Sequence, residues 1–372
     1  MRILFVSDFL LVPYGGAQNS ARAHINTLRS IVGENSVDIA AIQFSDEESE
    51  KYILLPSING RFKVIINEIK GNTAFISEKC NRIVYKLLDS NKYNVLFLDN
   101  SWFGKIAKYC KKHHPEIRII TYFHGVKHNS RLQYIKRKPY NPILYLDFLS
   151  AVYNERYVVK YSDSLLLLNE RENKMLEKYY GHSADLYLPV YFPDKMKSHA
   201  ASEDINHTFN ILFVGGALPA NKNGIKWFVS NVVPYLNGNF TLSIVGNTMD
   251  SLKNEIELND NILAIGRVDF LDDYYENANV VIGPIFEGDG MKTKTAEALM
   301  YGKVFVGTDE ALCGYEGLDE YRCNSAVEFI NMINKLIEIN IPKYSEKMRK
   351  IYEKNHSMEM AKKVIERALF VL

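Results

Sequence analysis

Between residues 287 and 303 the sequence reads EGDGMKTKTAEALMYGK. Gly288 and Gly290 flank Asp289, Met291 follows, Lys292 and Lys294 come next, and Glu297 lies one helical turn further on. The polar and apolar residues from Thr293 to Tyr301 recur at helical spacing, and Gly302 stands where a helix ends. The glycines and lysines therefore fall at the start of a helix. There the first backbone N–H groups lack partners and the macrodipole is positive. Glycines let a backbone approach a ligand, and lysines add point charges, so the combination suits phosphate. Glu297 is placed to accept hydrogen bonds from a sugar hydroxyl. The chemistry to expect is capture of a nucleoside diphosphate. The same residues would also make a plain glycine turn with solvated lysines. They do not form the P-loop, whose closing Lys-Ser/Thr is missing, nor the GxGxxG dinucleotide fingerprint.

Such a site needs strands that end at the right place. The run "NVVIGPIFEG" reads as a strand entering this loop. Upstream, "RILFVS", "VDIAAIQ", "FKVII", "NVLFLDN", "RIITYFHG" and "SDSLLLLN" are short apolar runs separated by helical patterns. A Gly-Gly loop, "PYGGAQN", follows the first of them, and a helix runs from there to about Ile31. This rhythm predicts a parallel sheet covered on both faces. It stops near residue 190, in "LPVYFPDKMKSHAASEDINHTFN", which reads as a linker. It restarts with "NILFVGGALPANKNG", taken as strand, glycine turn and polar loop, and "IKWFVSNVVPYL" reads as a helix with Pro234 near its end. "FTLSIVGN", "NILAIGRV" and "KVFVGT" are further strands. The expected organisation is a Rossmann-like domain over 1–190, a second over 205–343, and a helix over 344–372 packing back on the first. In open α/β sheets ligands bind outside the carboxyl ends of the strands, so a cleft between two such domains would bring the glycine loops together.

With those residues in view, the chain resembles the retaining glycosyltransferases of GT-B fold, family 4. "GPIFEGDGMKTKTAEALMYGKVFVGT" is similar to that family's strand, Gly-x-Gly-x-(Arg/Lys)-x-Lys-x-x-Glu-Ala, helix, Gly, strand signature. "NILFVGGALPANKNGIKWFVSNVVPYL", "MRILFVSDFLLVPYGGAQNSARAHI" and "IITYFHG" resemble its other strand-loop units, so the likeness covers most of the chain. The resemblance implies a hexosyltransferase. Lys292 and Lys294 would neutralise the pyrophosphate and stabilise the leaving nucleotide, and Glu297 would hold the ribose. The backbone of Gly288, Asp289 and Gly290 would hold the transferred sugar, with His124 beside it. Gly15 and Gly16 would face the phosphates or the acceptor, and Gly216 and Arg267 would join the donor site. Many members carry two glutamates separated by seven residues. Here the residue eight before Glu297 is Asp289 and Glu287 lies ten before it, so the first acidic role stays between Glu287 and Asp289. No Asp-x-Asp occurs in the chain, and no metal and no cofactor are expected beyond a UDP- or GDP-sugar donor.

His124, at the end of a strand, would equally suit a core or loop, and Arg267 a solvated surface. Asp99 and Asn100, which end "NVLFLDN", would suit a helix cap as well as a cleft edge. Two other classes stay open: a nucleotide-sugar epimerase of the same two-domain fold, which needs proton-transfer groups on both faces of the sugar, and a non-catalytic glycan-assembly partner.

The 372 residues are enough for two domains, and 47% hydrophobic with 24% charged residues is a globular composition. The net charge of +1 conceals an asymmetry: residues 1–190 carry 26 Lys+Arg against 19 Asp+Glu, and residues 191–372 carry 19 against 25. The basic cluster of Lys105, Lys108, Lys111, Lys112, Arg131, Lys136, Arg137 and Lys138, interleaved with Tyr134, Tyr140 and Tyr145, suits an anionic lipid surface or merely solvated helix faces. The expected partners are a nucleotide-sugar donor and a glycan or lipid-linked glycan acceptor, with peripheral membrane contact and no nucleic acid. Cys80, Cys110, Cys313 and Cys323 show no metal-ligand spacing and fit a reducing compartment. The N-terminal run is interrupted by Asp8 and reads as a buried strand. The expected location is the cytoplasm, at the inner face of the membrane.

Overall fold

The computed structural model describes residues 1–12, 16–44, 51–73, 75–90, 93–196, 208–257, 259–288 and 290–371. Gly15 and Asp289, both expected to bind, lie outside the described residues. The chain divides into two compact units: Met1–Pro189 together with Ala361–Leu372, and Val190–Met360.

Among its described residues the first unit holds seven strands: β1 (Ile3–Ser7), β2 (Val37–Gln43), β3 (Ile53–Pro56), β4 (Val95–Leu98), β5 (Arg118–Phe123), β6 (Ser164–Leu167) and β7 (Leu186–Tyr187). Their order is β3-β2-β1-β4-β5-β6-β7, and every pairing is parallel. Strands covered on both faces read as continuous apolar runs. Accordingly every residue of β1, β4 and β6 is buried. Phe5 of β1 stacks on Phe97 of β4, with ring centroids 5.4 Å apart. The helices are α1 (Gly16–Val32), α2 (Arg61–Ile69), α3 (Glu78–Ser90), α4 (Gly104–His113), α5 (Lys127–Arg137), α6 (Pro142–Tyr161) and α7 (Glu170–Tyr180).

The expected strand "FKVII" is a correction: it lies inside α2, and the third strand is "ILLP" ahead of it. A short apolar run does not distinguish strand from helix by periodicity alone. Here Phe62, Ile66 and Ile69 recur at i, i+4 and i+7, the helical spacing.

The second unit holds β8 (Phe209–Val214), β9 (Phe240–Val245), β10 (Ile262–Gly266), β11 (Val280–Gly283) and β12 (Val304–Gly307), ordered β10-β9-β8-β11-β12 and all parallel. Its helices are α8 (Pro219–Asn231), α9 (Lys253–Ile256), α10 (Asp272–Asn277), α11 (Thr293–Met300), α12 (Ala326–Glu338) and α13 (Glu346–Asn355), and α14 (Met358–Phe370) carries the chain into the residues that complete the first unit. The expected polar loop "PANKNG" is instead the opening of α8, with Pro219 in its first turn, where a missing N–H costs nothing. Pro234 lies beyond α8, in a 3₁₀ turn over Val233–Tyr235. Part of the expected linker is fixed within this unit. Phe192 pairs with Ser357, its N–H donates to the His356 carbonyl, and Arg349 forms an ion pair with Asp194.

Both sheets reverse direction beside their first strand. In the first unit β1 lies between β2 and β4, and in the second β8 lies between β9 and β11. Loops after neighbouring strands that run off in opposite directions leave a crevice at the carboxyl edge. The two crevices are the places where polar residues gather.

Candidate functional site

In the second unit, the loop after β8 and the loop after β11 end at one crevice. Lys294 is the second residue of α11, yet it is only 8% exposed. Its Nζ donates to Asn221 Oδ1 of α8 at 2.8 Å and sits 4.3 Å from the centroid of the Phe213 ring in β8. It also fills the space beside Gly215. A Cβ on Gly215 would come within 2.7 Å of that Nζ, so the bare backbone is what admits the amine. Burial, assisted by Lys292 and opposed by Glu297, pushes the Lys294 amine down to about 7.

The rest of the loop is fixed around it. Gly290 has φ 61, a left-handed conformation that side-chain-bearing residues rarely adopt. Lys292 is the N-cap of α11 and offers no side-chain cap. Its Nζ donates to Glu310 Oε1 at 2.6 Å, and its carbonyl accepts from Tyr315 Oη at 2.6 Å. Thr295 Oγ1 donates to the Ala311 carbonyl, which ties α11 to the segment after β12. Lys292 thus meets a carboxylate within the protein, whereas among the described residues the side chain that Lys294 bonds is a neutral amide. Of the two lysines, Lys294 has the charge still to be answered.

Glu297, on the next turn of α11, accepts from Tyr275 Oη at 3.2 Å. It keeps part of its surface open, but protein surrounds it, and that burial raises its carboxyl despite Lys195, Tyr275 and Lys294 pulling the other way. Gly216 follows Gly215 and accepts from Asn221 Nδ2 through its carbonyl. Met291 is buried in the loop. Glu287 is half-buried and lines a cavity of about 360 Å³ with Phe286 and, from α8, Ala220, Asn223, Gly224 and Trp227. Arg267 follows β10, the edge strand, two strands from β8, and is exposed. The structure gathers Gly288, Gly290, Met291, Lys292, Lys294 and Glu297 about the start of α11, with Gly216 beside Asn221; Arg267 follows Gly266, whose carbonyl accepts from the N–H of Gly246, and Gly246 abuts the Gly215 backbone. Asn221, Glu310, Tyr275 and Tyr315 complete the site and were missed from sequence. Only Asn221 gave any signal, as part of a polar run after a glycine turn.

The first unit has its own cluster at the β1/β4 crevice. Asp99, fully buried at the end of β4, accepts from His24 Nδ1 of α1 at 2.7 Å and from Ser7 Oγ of β1 at 2.8 Å. His124 follows β5, and its Nε2 lies 3.6 Å from Asp99 Oδ1. The ring packs edge-on against Phe9 and Tyr122. Burial would raise the Asp99 carboxyl, but the imidazoles of His124 and His24 outweigh it and hold it at about 2. Burial in turn lowers His124, with Asp99 opposing. Asn100 Nδ2 donates to both oxygens of Asp8, a second buried carboxyl that burial and the Asp99 charge push up to about 7. Gly16 begins α1 at the same edge. Asp99 and Asn100 are therefore neither of them helix caps. His24 and Asp8 had no sequence signal, because a histidine within a helix and an acid after a strand are common.

Comparison with known proteins now bears on this geometry. The family described as glycosyl transferases group 1 matches residues 208–338, which span the whole α11 site. The match is to the second unit alone, which is similar to a group 1 glycosyltransferase domain. No curated protein matches the chain. Solved structures do match over its full length. The lipopolysaccharide outer core galactosyltransferase WaaB is 13% identical, covers 100% of this chain and 99% of its own, and has a TM-score of 0.67. Anabaena HepE in complex with UDP is 12% identical, covers 100% of both chains and has a TM-score of 0.70. WaaG, a glycosyltransferase involved in lipopolysaccharide biosynthesis, is 13% identical over 99% of this chain and 98% of its own, with a TM-score of 0.66. At these identities the likeness is one of fold: two Rossmann-like α/β units, the GT-B architecture. Among the described residues no helix is long and apolar enough to cross a membrane.

Proposed function

We propose that the chain moves a sugar, with retention of anomeric configuration, from a nucleotide-diphosphate sugar to a glycan or lipid-linked glycan acceptor. On this reading it works without a metal, at the cytoplasmic face of the membrane, in the assembly of surface polysaccharide. One observation carries the reading. A lysine that is 8% exposed faces a side-chain-free backbone at the crevice of a Rossmann-like sheet, at the start of a helix. Burying an amine there costs free energy unless an anion joins it. A pyrophosphate set on the α11 N-terminus supplies that anion.

The chemistry follows from where charge develops. When the bond between the anomeric carbon and the phosphate oxygen breaks, negative charge grows on the leaving diphosphate. On this reading Lys294 and the first N–H groups of α11 meet that charge, and being held by the fold they need little reorganisation. Glu297, held by Tyr275, accepts hydrogen bonds from the ribose. In the first unit, His124 beside a buried carboxylate has the donors and acceptors to orient a sugar hydroxyl. Support for a uridine donor comes from the UDP seen in HepE, and support for a surface glycan from the names of WaaB and WaaG.

The test is calorimetric titration with UDP-, GDP-, ADP- and TDP-sugars, on the parent and on Lys294→Met, followed by analysis of products. Binding of one nucleotide series that weakens at least tenfold in the variant, with sugar appearing on an acceptor, is the expected result. Nucleotide binding indifferent to Lys294, or release of an epimerised sugar nucleotide with no transfer, would sink the proposal.

A further inference from the structure

Helix α2 is turned inside out. It buries Asn67 and Glu68 and exposes Phe62, Ile66 and Ile69. The orientation is fixed from within: Asn67 Nδ2 donates to the Ile76 carbonyl at 2.9 Å, and Asn67 Oδ1 accepts from Asn72 Nδ2 at 3.0 Å. A helix anchored through its polar side presents its apolar side outward by construction, and Phe62 is 75% and Ile69 66% exposed. The neighbouring helix α6 buries Ala151, Val152 and Val158 together with Ser150, Asn154 and Glu155, and still exposes Tyr145, Leu149 and Tyr153, with Leu149 at 60%. The two stripes adjoin. A Cβ on Gly71, just past α2, would lie 3.3 Å from the Tyr153 ring, and Asn154 Nδ2 donates to the Gly71 carbonyl.

Cations frame this apolar surface. Arg61, Lys63 and Lys70 are exposed on and beside α2. Lys136, Arg137 and Lys138 are exposed at the turn between α5 and α6, which Tyr145 reaches by donating from Oη to the Pro139 carbonyl at 3.1 Å. The carboxylates of α2, α5 and α6 are Glu68, Asp147 and Glu155. Glu68 and Glu155 are buried, and Asp147 pairs with Arg131 at 3.0 Å. An outward apolar stripe on surface helices, tyrosines at its margin and a rim rich in exposed lysine and arginine, in which Glu78 is paired with Lys105, match a bilayer interface with anionic headgroups. A second copy of the chain is the poorer occupant, since a two-fold contact would set this basic rim against itself.

We infer that the α2–α6 face docks on an anionic lipid surface, with Phe62, Ile69 and Leu149 entering the headgroup boundary. This deepens the transferase reading by naming the surface through which a lipid-linked acceptor would be met. Lys105, Lys111 and Arg131 of the basic sequence cluster are not its contacts. Lys105 is bonded to the Lys70 carbonyl, Lys111 to Asp163, and Arg131 to Asp147.

The experiment is flotation of the full chain, without nucleotide, on phosphatidylcholine vesicles with and without phosphatidylglycerol. The parent should float only with the anionic lipid. Replacing Phe62, Ile69 and Leu149 together by Ser should weaken that binding at least about tenfold, and Lys63→Gln or Lys70→Gln by about fivefold each. The replaced side chains are exposed, so the melting temperature should hold, which separates lost docking from lost folding. Vesicle binding unchanged in the triple variant overturns the inference. So does sedimentation showing that the face joins two copies in the absence of lipid. Nucleotide titrations on the same proteins keep the two proposals apart. If sugar nucleotide binds and vesicles do not, only the docking face falls; if vesicles bind and sugar nucleotide does not, only the transferase reading falls.

Discussion

Lys294 should make donor binding consume a proton. In the unliganded protein its amine is held at about 7, against an ordinary 10.5, chiefly by burial. At pH 8 about one Lys294 in ten then carries its proton. A pyrophosphate beside Nζ favours the charged form and moves the amine back toward its ordinary value, where nearly all are protonated at pH 8. Each binding event at pH 8 should therefore take up about 0.9 proton, and at pH 6 only about 0.1. Affinity should fall about tenfold per pH unit above 7, or ~1.4 kcal/mol per unit. The measurement is calorimetry at pH 8 in two buffers of different ionisation enthalpy, with an intact sugar nucleotide, whose diphosphate diester has no proton of its own to exchange in this range. The slope of observed enthalpy against buffer enthalpy gives the proton count. Lys303 is also held at about 7, but its Nζ donates to the carbonyls of Glu276 and Lys343, so its protonation should not follow the ligand. A slope near zero at pH 8 with binding intact, or an equal slope in Lys294→Met, would refute the reasoning.

Lys294→Ala should lower kcat by about 10²–10³ with a smaller change in KM, because the charge it meets is greatest as the glycosidic bond breaks; steady-state kinetics decide it, and turnover within about twofold of the parent in this variant and in the Lys292/Lys294 double variant would place the phosphate elsewhere. His124→Ala should keep nucleotide affinity and lose turnover, and an equal fall in both would move His124 to the nucleotide. Turnover should survive EDTA, and loss on chelation that Mg²⁺ or Mn²⁺ restores would show a metal at work. The unliganded chain binds fewer protons at Lys294 than its unfolded form between about pH 7 and 10.5, so that residue makes stability rise with pH across this window; Lys294→Met should accordingly raise the melting temperature most below pH 7. For Asp8, raised from 3.8 to about 7, the sign is opposite: the folded form binds more protons between those values and stability drains away as pH rises through them, so Asp8→Asn should stabilise more at pH 8 than at pH 4.

Much of this was legible beforehand because it rests on local rules. Fully buried parallel strands announce themselves as unbroken apolar runs, and β1, β4, β8 and β11 stand where those runs lie. Gly288, Gly290, Lys292 and Lys294 marked a helix start through residue types alone, and α11 begins at Thr293. What sequence could not supply was which neighbours tertiary packing would bring. Lys292 looked as available as Lys294 until Glu310, eighteen positions away, came within 2.6 Å of it. The Asp99–His24 contact joins residues 75 positions apart, and no spacing rule reaches that far. "FKVII" misled for a different reason. An apolar run normally signals burial, and α2 carries its apolar residues on the outside.

The division of the chain also has a bearing on its synthesis. The first unit is completed by Ala361–Leu372, where Ala361, Ile365, Ala368 and Leu369 are buried, yet the whole of Val190–Met360 is translated in between. At roughly 5–20 residues per second, about ten to thirty seconds pass on the ribosome between the end of the first segment and the arrival of its missing helix. For that interval the first unit lacks the four apolar residues that α14 buries, while the second unit emerges with all its own described strands. A chaperone that recognises exposed apolar surface would meet this protein in that gap, and a messenger that slowed translation within Val190–Met360 would lengthen it.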